Sequence, residues 1–294
     1  MKNNIIITTG DPNGIGAEIT IKALNQLQPD NVTIVSNRKI LDFYGHLNKD
    51  YDIIEIPFNE EILPGKITKE CGEFSFQSVK LASEIKGKAI VTAPVAKNAM
   101  HLAGHDFNGQ TEILQKYLAH DDQLAEMLFV AGKFRVLLLT RHCALKDITL
   151  TKELVITKIS NLKEFFEQKL NIKNPKFALC GFNPHAGEDG ILGREEIEIL
   201  QPAVDILKKN GINITNPLPA DTLFVQYNNY DCIIANYHDQ GLIPIKTVAG
   251  PKTVNMTIGL DVIRTSPGHG TAFDIAGKNI ADPTSMIEAI KQVL

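Results

Sequence analysis

Long hydrophobic runs are missing from this chain. No apolar stretch approaches the roughly 18 residues that a membrane-spanning helix needs. The first residues, Met1-Lys2-Asn3-Asn4, lead directly into a strand, which leaves no room for the apolar core of a signal peptide. We therefore expect a cytoplasmic protein that does not enter a membrane.

Cysteine is scarce, and neither sign of charge is in large excess. The four cysteines are widely spaced and form no Cys-x-x-Cys pair, which argues against a disulfide scaffold and predicts reduced thiols. Lysine and arginine number 30 against 34 aspartates and glutamates, giving a net charge of -4. The charge therefore provides no reason to expect a nucleic-acid partner.

The dinucleotide fingerprint of the Rossmann fold is also absent. A glycine-rich segment, residues 10–16, follows the apolar strand Ile5–Thr8 and opens a predicted helix, where free N–H groups can hold phosphate. The pattern G-x-G-x-x-G fails, however, because Ile19 stands where the third glycine is required. Taken alone, the segment predicts a structural turn.

What is present suits a large α/β protein. The chain has 294 residues, of which 44% are hydrophobic, enough for two α/β lobes. A hairpin is predicted at residues 126–139 around Ala131-Gly132-Lys133. Thr151 is predicted to cap a long amphipathic helix that ends near Leu170, and another helix is predicted over residues 195–209.

Three predicted strands end in segments that carry a histidine. They lead to His142, His185 and His238, the last within Asn236-Tyr237-His238-Asp239-Gln240-Gly241. Ligands bind beyond the carboxyl ends of the strands in open α/β sheets. Three such imidazoles predict a metal site with a fourth position open for substrate.

Two aspartates stand at predicted helix starts. Asp221, in the segment 217–222, is either an N-cap or a functional carboxylate, and on its own the cap is the favoured interpretation. Asp282 precedes Pro283 and is predicted to cap the last helix.

Taken together, these pieces resemble the family of 4-hydroxythreonine-4-phosphate dehydrogenase, which acts in pyridoxal phosphate synthesis. The resemblance covers nearly the whole chain and rests on six motifs in order: Gly10-Asp11-Pro12-Asn13-Gly14-Ile15-Gly16, Thr92-Ala93-Pro94, Asn183-Pro184-His185-Ala186-Gly187-Glu188, Pro217-Leu218-Pro219-Ala220-Asp221-Thr222, Tyr237-His238-Asp239-Gln240-Gly241, and Arg264-Thr265-Ser266 with His269-Gly270-Thr271-Ala272.

The resemblance implies the α/β fold of the isocitrate and isopropylmalate dehydrogenase superfamily, with two lobes, a mixed central sheet and an active site in the cleft between the lobes. We expect a nucleotide-binding lobe of residues 1–130 with 245–294, and a metal-binding and dimerisation lobe of residues 131–244.

The resemblance also implies site residues. His142, His185 and His238 match metal ligands shared between the subunits of a homodimer, with zinc expected and magnesium or cobalt as alternatives. Substrate-binding positions are matched by Thr111, Lys246, Asn255 and Arg264. Gln110 stands where the family usually has histidine, and a neutral amide there disfavours a proton-transfer or phosphate-charge role but leaves a contact to substrate open.

The segment 269–282 is similar to the superfamily's nucleotide-binding loop. Its cofactor-binding positions correspond to His269, Gly270, Ala272, Asp274 and Asp282, and Gly14 of the glycine-rich segment joins them as the prospective phosphate contact. Aspartate at position 274 predicts NAD, with NADP as the alternative, because a carboxylate accepts from the ribose 2′-hydroxyl and repels a 2′-phosphate. The competing interpretation is that this aspartate only caps residues 275–277.

The implied function is NAD-dependent oxidation of 4-phosphooxy-L-threonine to a β-keto acid that decarboxylates to 3-amino-2-oxopropyl phosphate. Asp221, Asp239 and Lys246 are the candidate bases, and the sequence does not rank them. The alternatives are a dehydrogenase of erythronate or threonate 4-phosphate, a phosphate acyltransferase of the same fold, and a non-catalytic metal-binding module.

Overall fold

The computed structural model describes residues 4–120 and 123–294, which form two compact units. The first unit comprises Met1–Ala125 and Pro251–Leu294, and the second comprises Glu126–Gly250. The strands are β1 Ile5–Thr8, β2 Val32–Ser36, β3 Asp52–Glu55, β4 Ala89–Thr92, β5 Glu126–Ala131, β6 Phe134–Leu138, β7 Phe177–Leu179, β8 Cys232–Ala235, β9 Val254–Ile258 and β10 Ile263–Pro267. The α-helices are α1 Gly16–Leu27, α2 Arg38–Tyr44, α3 Lys69–Glu84, α4 Lys97–Leu102, α5 Gln110–Leu118, α6 Lys152–Gln168, α7 Gln201–Lys209, α8 Ala220–Val225, α9 His238–Ala249 and α10 Thr284–Lys291.

The first unit is built on strands in the order β3-β2-β1-β4-β10-β9. They are parallel except for β9, which pairs antiparallel with β10. Ile5 and Ile7 of β1 belong to a core cluster with α1 and α10, whereas Ile6 belongs to a cluster with α3 and α5. Because successive side chains point to opposite faces of a strand, both faces of this sheet are covered. That burial explains the uninterrupted apolar runs of β1 and β4.

The second unit has strands in the order β5-β6-β8-β7. The predicted hairpin is confirmed: β5 and β6 pair antiparallel, Ala131 pairs with Phe134, and Gly132 begins the two-residue loop at φ +60°. β6, β8 and β7 are mutually parallel. The α/β class and the mixed sheet predicted from the sequence are therefore confirmed.

Helix starts and ends show where the sequence patterns succeed and where they fail. The predicted cap of α6 is confirmed, since Thr151 Oγ1 accepts from the Leu154 N–H at 3.1 Å. The single helix predicted over 195–209 is wrong in detail, because a π-helical turn, Glu196–Leu200, precedes α7. The sequence patterns also do not predict α9, which starts at His238 and contains Pro244.

Within residues 4–120 and 123–294, no helix combines the length and the apolar character needed to cross a bilayer.

Candidate active site

The three histidine-bearing strand ends are neighbours in the second unit. β8 lies between β6 and β7, pairing Ala235 with Leu138 and Ile234 with Leu179. Since the strands are parallel, their carboxyl ends meet at one edge of the sheet, where ligands bind in α/β proteins. His142, His185 and His238 all follow this edge.

Two of the predicted metal ligands lie close together. The ring centroids of His142 and His238 are 5.5 Å apart, and both residues line a cavity of about 300 Å³ with Arg141, Tyr237 and Asp239. The Asp239 Oδ1 atom is 2.7 Å from Nδ1 of His238. A carboxylate on one ring nitrogen fixes the orientation of an imidazole and leaves the other nitrogen for a ligand.

His185 is placed differently, on a left-handed turn. The φ angles are +51° at His185, +52° at Ala186, +44° at Glu188 and +54° at Asp189, with Gly187 at +79°. This conformation costs a non-glycine residue roughly 1–2 kcal/mol. Across the described part of the chain, no three histidine, cysteine, aspartate or glutamate side chains are grouped closely enough to hold a metal ion.

The left-handed turn is supported by the segment that follows it. Asn183 donates its backbone N–H to Glu196 Oε1 at 2.8 Å and its side-chain amide to Glu195 and Glu196 at 2.6 and 2.9 Å. A Cβ atom on Gly187 would lie 2.6 Å from the Glu196 carboxylate. The buried Glu196 and the absence of a side chain at Gly187 therefore allow the turn to pack closely.

Helix α9 lies close against β6 and β8 at Gly241. A Cβ atom there would meet side-chain atoms of Leu138 at 2.6 Å, Val136 at 2.8 Å and Ala235 at 3.0 Å. Only glycine lets the helix approach the sheet this closely, and that approach carries His238 and Asp239 to the strand edge.

The candidate bases of the second unit occupy two helices. Asp221 lies in the first turn of α8, is exposed, and makes no cap hydrogen bond, so its interpretation as an N-cap is wrong. Asp239 contacts His238, as described above. Lys246 follows on α9, two helical turns after His238.

The predicted substrate residues lie in the first unit, and Arg264 is the most deeply placed. It is 3% exposed, and its Nε and Nη2 atoms donate to Thr92 Oγ1 at 2.9 and 2.6 Å. Burial lowers the pKa of Arg264 to about 10, while the charge of Glu112 opposes that decrease. Within the described residues no carboxylate forms an ion pair with this guanidinium, which can therefore accept an anionic ligand.

Other predicted substrate residues of the first unit also have buried polar atoms. Asn255 of β9 is opposite Ser266, two residues from Arg264, and its Oδ1 has no hydrogen-bond partner among the described residues. Gln110 donates Nε2 to the Ala93 carbonyl at 3.0 Å, while its Oε1 is buried and likewise has no partner there. Thr111 is buried at the start of α5. Buried polar groups are normally paired, so these atoms suit a polar ligand.

The glycine-rich segment and the predicted nucleotide loop are in contact within the first unit. The Ile15 N–H donates to the Thr271 carbonyl at 3.0 Å, and a Cβ atom on Gly14 would lie 3.1 Å from Thr271. His269 and Gly270 are exposed, and Ala272 has φ +43°. The two predicted cofactor segments therefore form one surface.

The two aspartates of the nucleotide loop differ in their hydrogen bonding. Asp274 is exposed, and its carboxylate makes no hydrogen bond to any residue the structure describes. Asp282 Oδ1 accepts from the Thr284 hydroxyl at 2.6 Å and N–H at 2.9 Å, and these bonds lower its pKa. The N-cap of α10 is Pro283 and not Asp282, but Asp282 hydrogen-bonds the first N–H of this helix from the preceding position.

Sequence reasoning did not identify the residues that anchor this loop. Glu18 Oε1 accepts from the Ala281 N–H and from Lys22, both at 2.8 Å, and Lys22 also reaches the carbonyls of Asn279 and Ala281. The only available signal was their i, i+4 spacing on α1, which is common on exposed helix faces.

The fold is that of the isocitrate dehydrogenase-like α/β proteins. The solved isocitrate dehydrogenase of Methylococcus capsulatus aligns with 99% of this chain and 85% of its own at a TM-score of 0.54, and at 15% identity this likeness shows the fold alone.

The chain belongs to the family described as pyridoxal phosphate biosynthetic protein PdxA, whose model matches residues 2–293. A relative named 4-hydroxythreonine-4-phosphate dehydrogenase, from Sulfurihydrogenibium sp. strain YO3AOP1, is 40% identical over 98% of this chain and 96% of its own. D-threonate 4-phosphate dehydrogenase of Cupriavidus necator is 39% identical, over 97% of this chain and 95% of its own. The crystal structure of 4-hydroxythreonine-4-phosphate dehydrogenase from Klebsiella pneumoniae aligns with 99% of this chain and 98% of its own at 34% identity and a TM-score of 0.89. The family predicted from the six motifs is confirmed.

Proposed function

We propose that this protein is an NAD-dependent, metal-dependent dehydrogenase that oxidises 4-phosphooxy-L-threonine in pyridoxal phosphate biosynthesis. The observation that carries the proposal is the buried guanidinium of Arg264, hydrogen-bonded to hydroxyls and without an ion-pair partner among the described residues, in a chain of this family. Such a group suits the phosphate or carboxylate of a small doubly anionic substrate.

The donor types of the second unit suit a divalent metal, although among the described residues of one chain only His142 and His238 of the three histidines lie close together. Neutral imidazoles suit zinc, and the contact between Asp239 and His238 is the carboxylate–histidine arrangement common behind metal ligands. His142, His185 and His238 would hold the ion. When bound, a metal of this kind supplies Lewis-acid polarisation of a substrate oxygen.

The chain's own residues would handle charge and protons. Arg264 and Lys246 would bind the phosphate and carboxylate of the substrate, with Asn255, Gln110 and Thr111 completing the polar contacts. One of Asp221, Asp239 and Lys246 would take the proton of the secondary hydroxyl as hydride passes from the same carbon to NAD. The resulting β-keto acid then loses carbon dioxide to give 3-amino-2-oxopropyl phosphate.

A second candidate substrate class is phosphorylated four-carbon sugar acids. It is favoured by the D-threonate 4-phosphate dehydrogenase relative at 39% identity and by the neutral side chain of Gln110. A panel of 4-phosphooxy-L-threonine, D-threonate 4-phosphate and D-erythronate 4-phosphate, followed by NADH absorbance, tests both. We expect the highest kcat/KM with the threonine derivative, and a higher value for a sugar acid would replace the first candidate with the second.

The metal proposal is tested separately with His185→Ala. We expect the variant to lose bound zinc and turnover while its unfolding transition persists. Retention of both metal and activity would remove His185 from the site.

We propose further that the protein is a homodimer whose active site draws ligands from both subunits. Support comes from large apolar side chains that the second unit leaves exposed, including Ile191 at 78%, Val225 at 82% and Ile243 at 63%. His142 and His238 of one chain line the same cavity, so a shared site would take His185 from the partner. Mixing His185→Ala chains with His238→Ala chains should therefore restore part of the activity. No recovery despite demonstrated subunit exchange would contradict a shared site.

A further inference from the structure

A fully buried asparagine connects the three histidine-bearing strand ends. The Asn236 carbonyl accepts from the Thr140 hydroxyl at 2.7 Å and from the Thr140 N–H at 3.1 Å, two residues before His142. Its side-chain amide donates to the Cys180 carbonyl at 2.9 Å, at the end of β7. Asn236 itself is the residue after β8, two before His238.

Gln240 closes the same network from the first turn of α9. Its Oε1 accepts from the Asn236 N–H at 2.8 Å and from the Asn236 side-chain amide at 3.2 Å. Its Nε2 donates to the Gly181 carbonyl at 2.8 Å, four residues before His185. The two side-chain amides therefore connect the ends of β7 and β8 with α9, and the backbone carbonyl of Asn236 adds the end of β6.

We infer that Asn236 and Gln240 are positioning residues that set the spacing of the strand ends carrying His142, His185 and His238. The inference rests on the proposed metal site. Neither side chain is ionisable, so the pair can fix distances without adding charge beside the imidazoles.

The chemistry of the two side chains explains why amides are needed. Each carries a donor and an acceptor, and the network uses both functions of Gln240 and the donor of Asn236. An apolar side chain at position 240 would remove the partners of the Asn236 N–H and the Gly181 carbonyl, and one at position 236 would remove the donor to the Cys180 carbonyl. A carboxylate would keep the acceptor but would face the Cys180 or Gly181 carbonyl with oxygen instead of N–H.

Two substitutions of Gln240 separate these functions in the full-length protein. Gln240→Glu keeps the acceptor for Asn236 and removes the donor to Gly181, whereas Gln240→Met removes both at similar volume. Gln226→Glu is the matched control, because Gln226 is an exposed glutamine of the second unit. Gln240→Glu, the closer match in shape, serves as the milder variant if Gln240→Met fails to fold. Thr140→Val removes only the hydroxyl donor to the Asn236 backbone carbonyl and leaves both amides in place.

The readouts are zinc affinity, by competition with a chromophoric chelator, and the visible spectrum of the Co²⁺-loaded protein, which reports ligand geometry. We expect affinity to fall by about tenfold or more in both Gln240 variants, in the range found for residues that orient metal ligands, with an altered Co²⁺ spectrum. Thr140→Val should give a smaller decrease, and Gln226→Glu should match the wild type.

His185→Ala distinguishes failure of this inference from failure of the proposed site. If His185→Ala binds zinc as the wild type does, the metal site itself is wrong. If His185→Ala loses zinc while a folded Gln240 variant keeps wild-type affinity and spectrum, the positioning role is overturned.

Discussion

Among the residues that the structure describes, each unit buries one cation, and the two cations have different partners. Lys158 of the second unit donates to Glu126 at 2.6 Å and to the Leu138 carbonyl at 3.4 Å. Burial lowers the pKa of Lys158, and the charge of Glu126 opposes that decrease. Arg264 of the first unit is equally buried but donates to the hydroxyls of Thr92 and Thr257.

This difference distinguishes a buried charge that is paired within the chain from one that remains available to an anionic ligand. A buried ion pair satisfies both of its members, so removing one leaves the other uncompensated. A buried guanidinium held by neutral hydroxyls keeps its charge for a partner from outside the chain. We therefore expect the buried lysine to support the fold and the buried arginine to serve the ligand binding proposed above.

The largest expected effect comes from replacing Lys158, the buried lysine that is paired with Glu126. Lys158→Met should lower the free energy of unfolding by about 3–5 kcal/mol, because Glu126 stays buried without a partner. The double variant Lys158→Met/Glu126→Leu should recover much of that loss in urea denaturation. If single and double variants unfolded alike, the pair would contribute nothing specific.

Replacing Arg264, the cation proposed to bind substrate, should lower activity far more than stability. Arg264→Met should lower kcat/KM by about a thousandfold, or about 4 kcal/mol, while the free energy of unfolding changes by less than about 1 kcal/mol. Steady-state kinetics and urea denaturation measure the two quantities. Arg38→Met, at an exposed arginine paired with Glu55, is the control and should change neither. A variant that kept its kcat/KM would remove Arg264 from the substrate site.

A buried carboxyl extends the comparison to negative charge. Burial raises the pKa of Asp11 from 3.8 to about 6, against a lowering hydrogen bond from the Asn13 N–H. The unfolded chain therefore releases this proton near pH 4 and the folded chain near pH 6. The contribution of protonated Asp11 to the free energy of unfolding is fully present below about pH 4 and is lost as the pH rises through about 6.

Asp11→Asn should therefore raise the free energy of unfolding at pH 7 by up to about 3 kcal/mol, and the gain should vanish below about pH 4. Urea denaturation as a function of pH measures it. Asp42→Asn, at an exposed position, should show no such pH-dependent gain, and an equal gain there would assign the effect to net charge alone.

The smallest expected effect concerns an exposed charge, that of Asp274. We expect wild-type kcat/KM to favour NAD over NADP by about tenfold, or about 1.4 kcal/mol, because this carboxylate would repel a 2′-phosphate. Asp274→Lys should erode or reverse that ratio, whereas Asp52→Lys should not. A wild-type preference for NADP would contradict the assignment.

Much of the sheet followed from local sequence. The predicted bounds of Ile5–Thr8 agree with the structure, because a strand buried on both faces is a continuous apolar run that stops where polar residues begin. The adjacency of the histidine-bearing ends also followed, since parallel strands align their carboxyl ends. The family followed from six ordered motifs.

Helix α9 could not be predicted in the same way. Gly241 and Pro244 both disfavour a helix interior, and the segment before them is polar. Packing decided the outcome, because the glycine lets the helix lie directly on Leu138 and Val136. The sequence of this segment shows the cost of forming a helix there, but it does not show the tertiary contact that offsets the cost.

The sequence alone thus determined which residue types follow which strands, and with them the family and the candidate ligands. Only the tertiary structure decided that Asn236 joins three strand ends, that His185 lies on a left-handed turn, and that Arg264 is buried without an ion-pair partner among the described residues. The physical reason is range: strand patterns come from neighbouring residues, whereas these features depend on partners as far apart as Thr92 and Arg264.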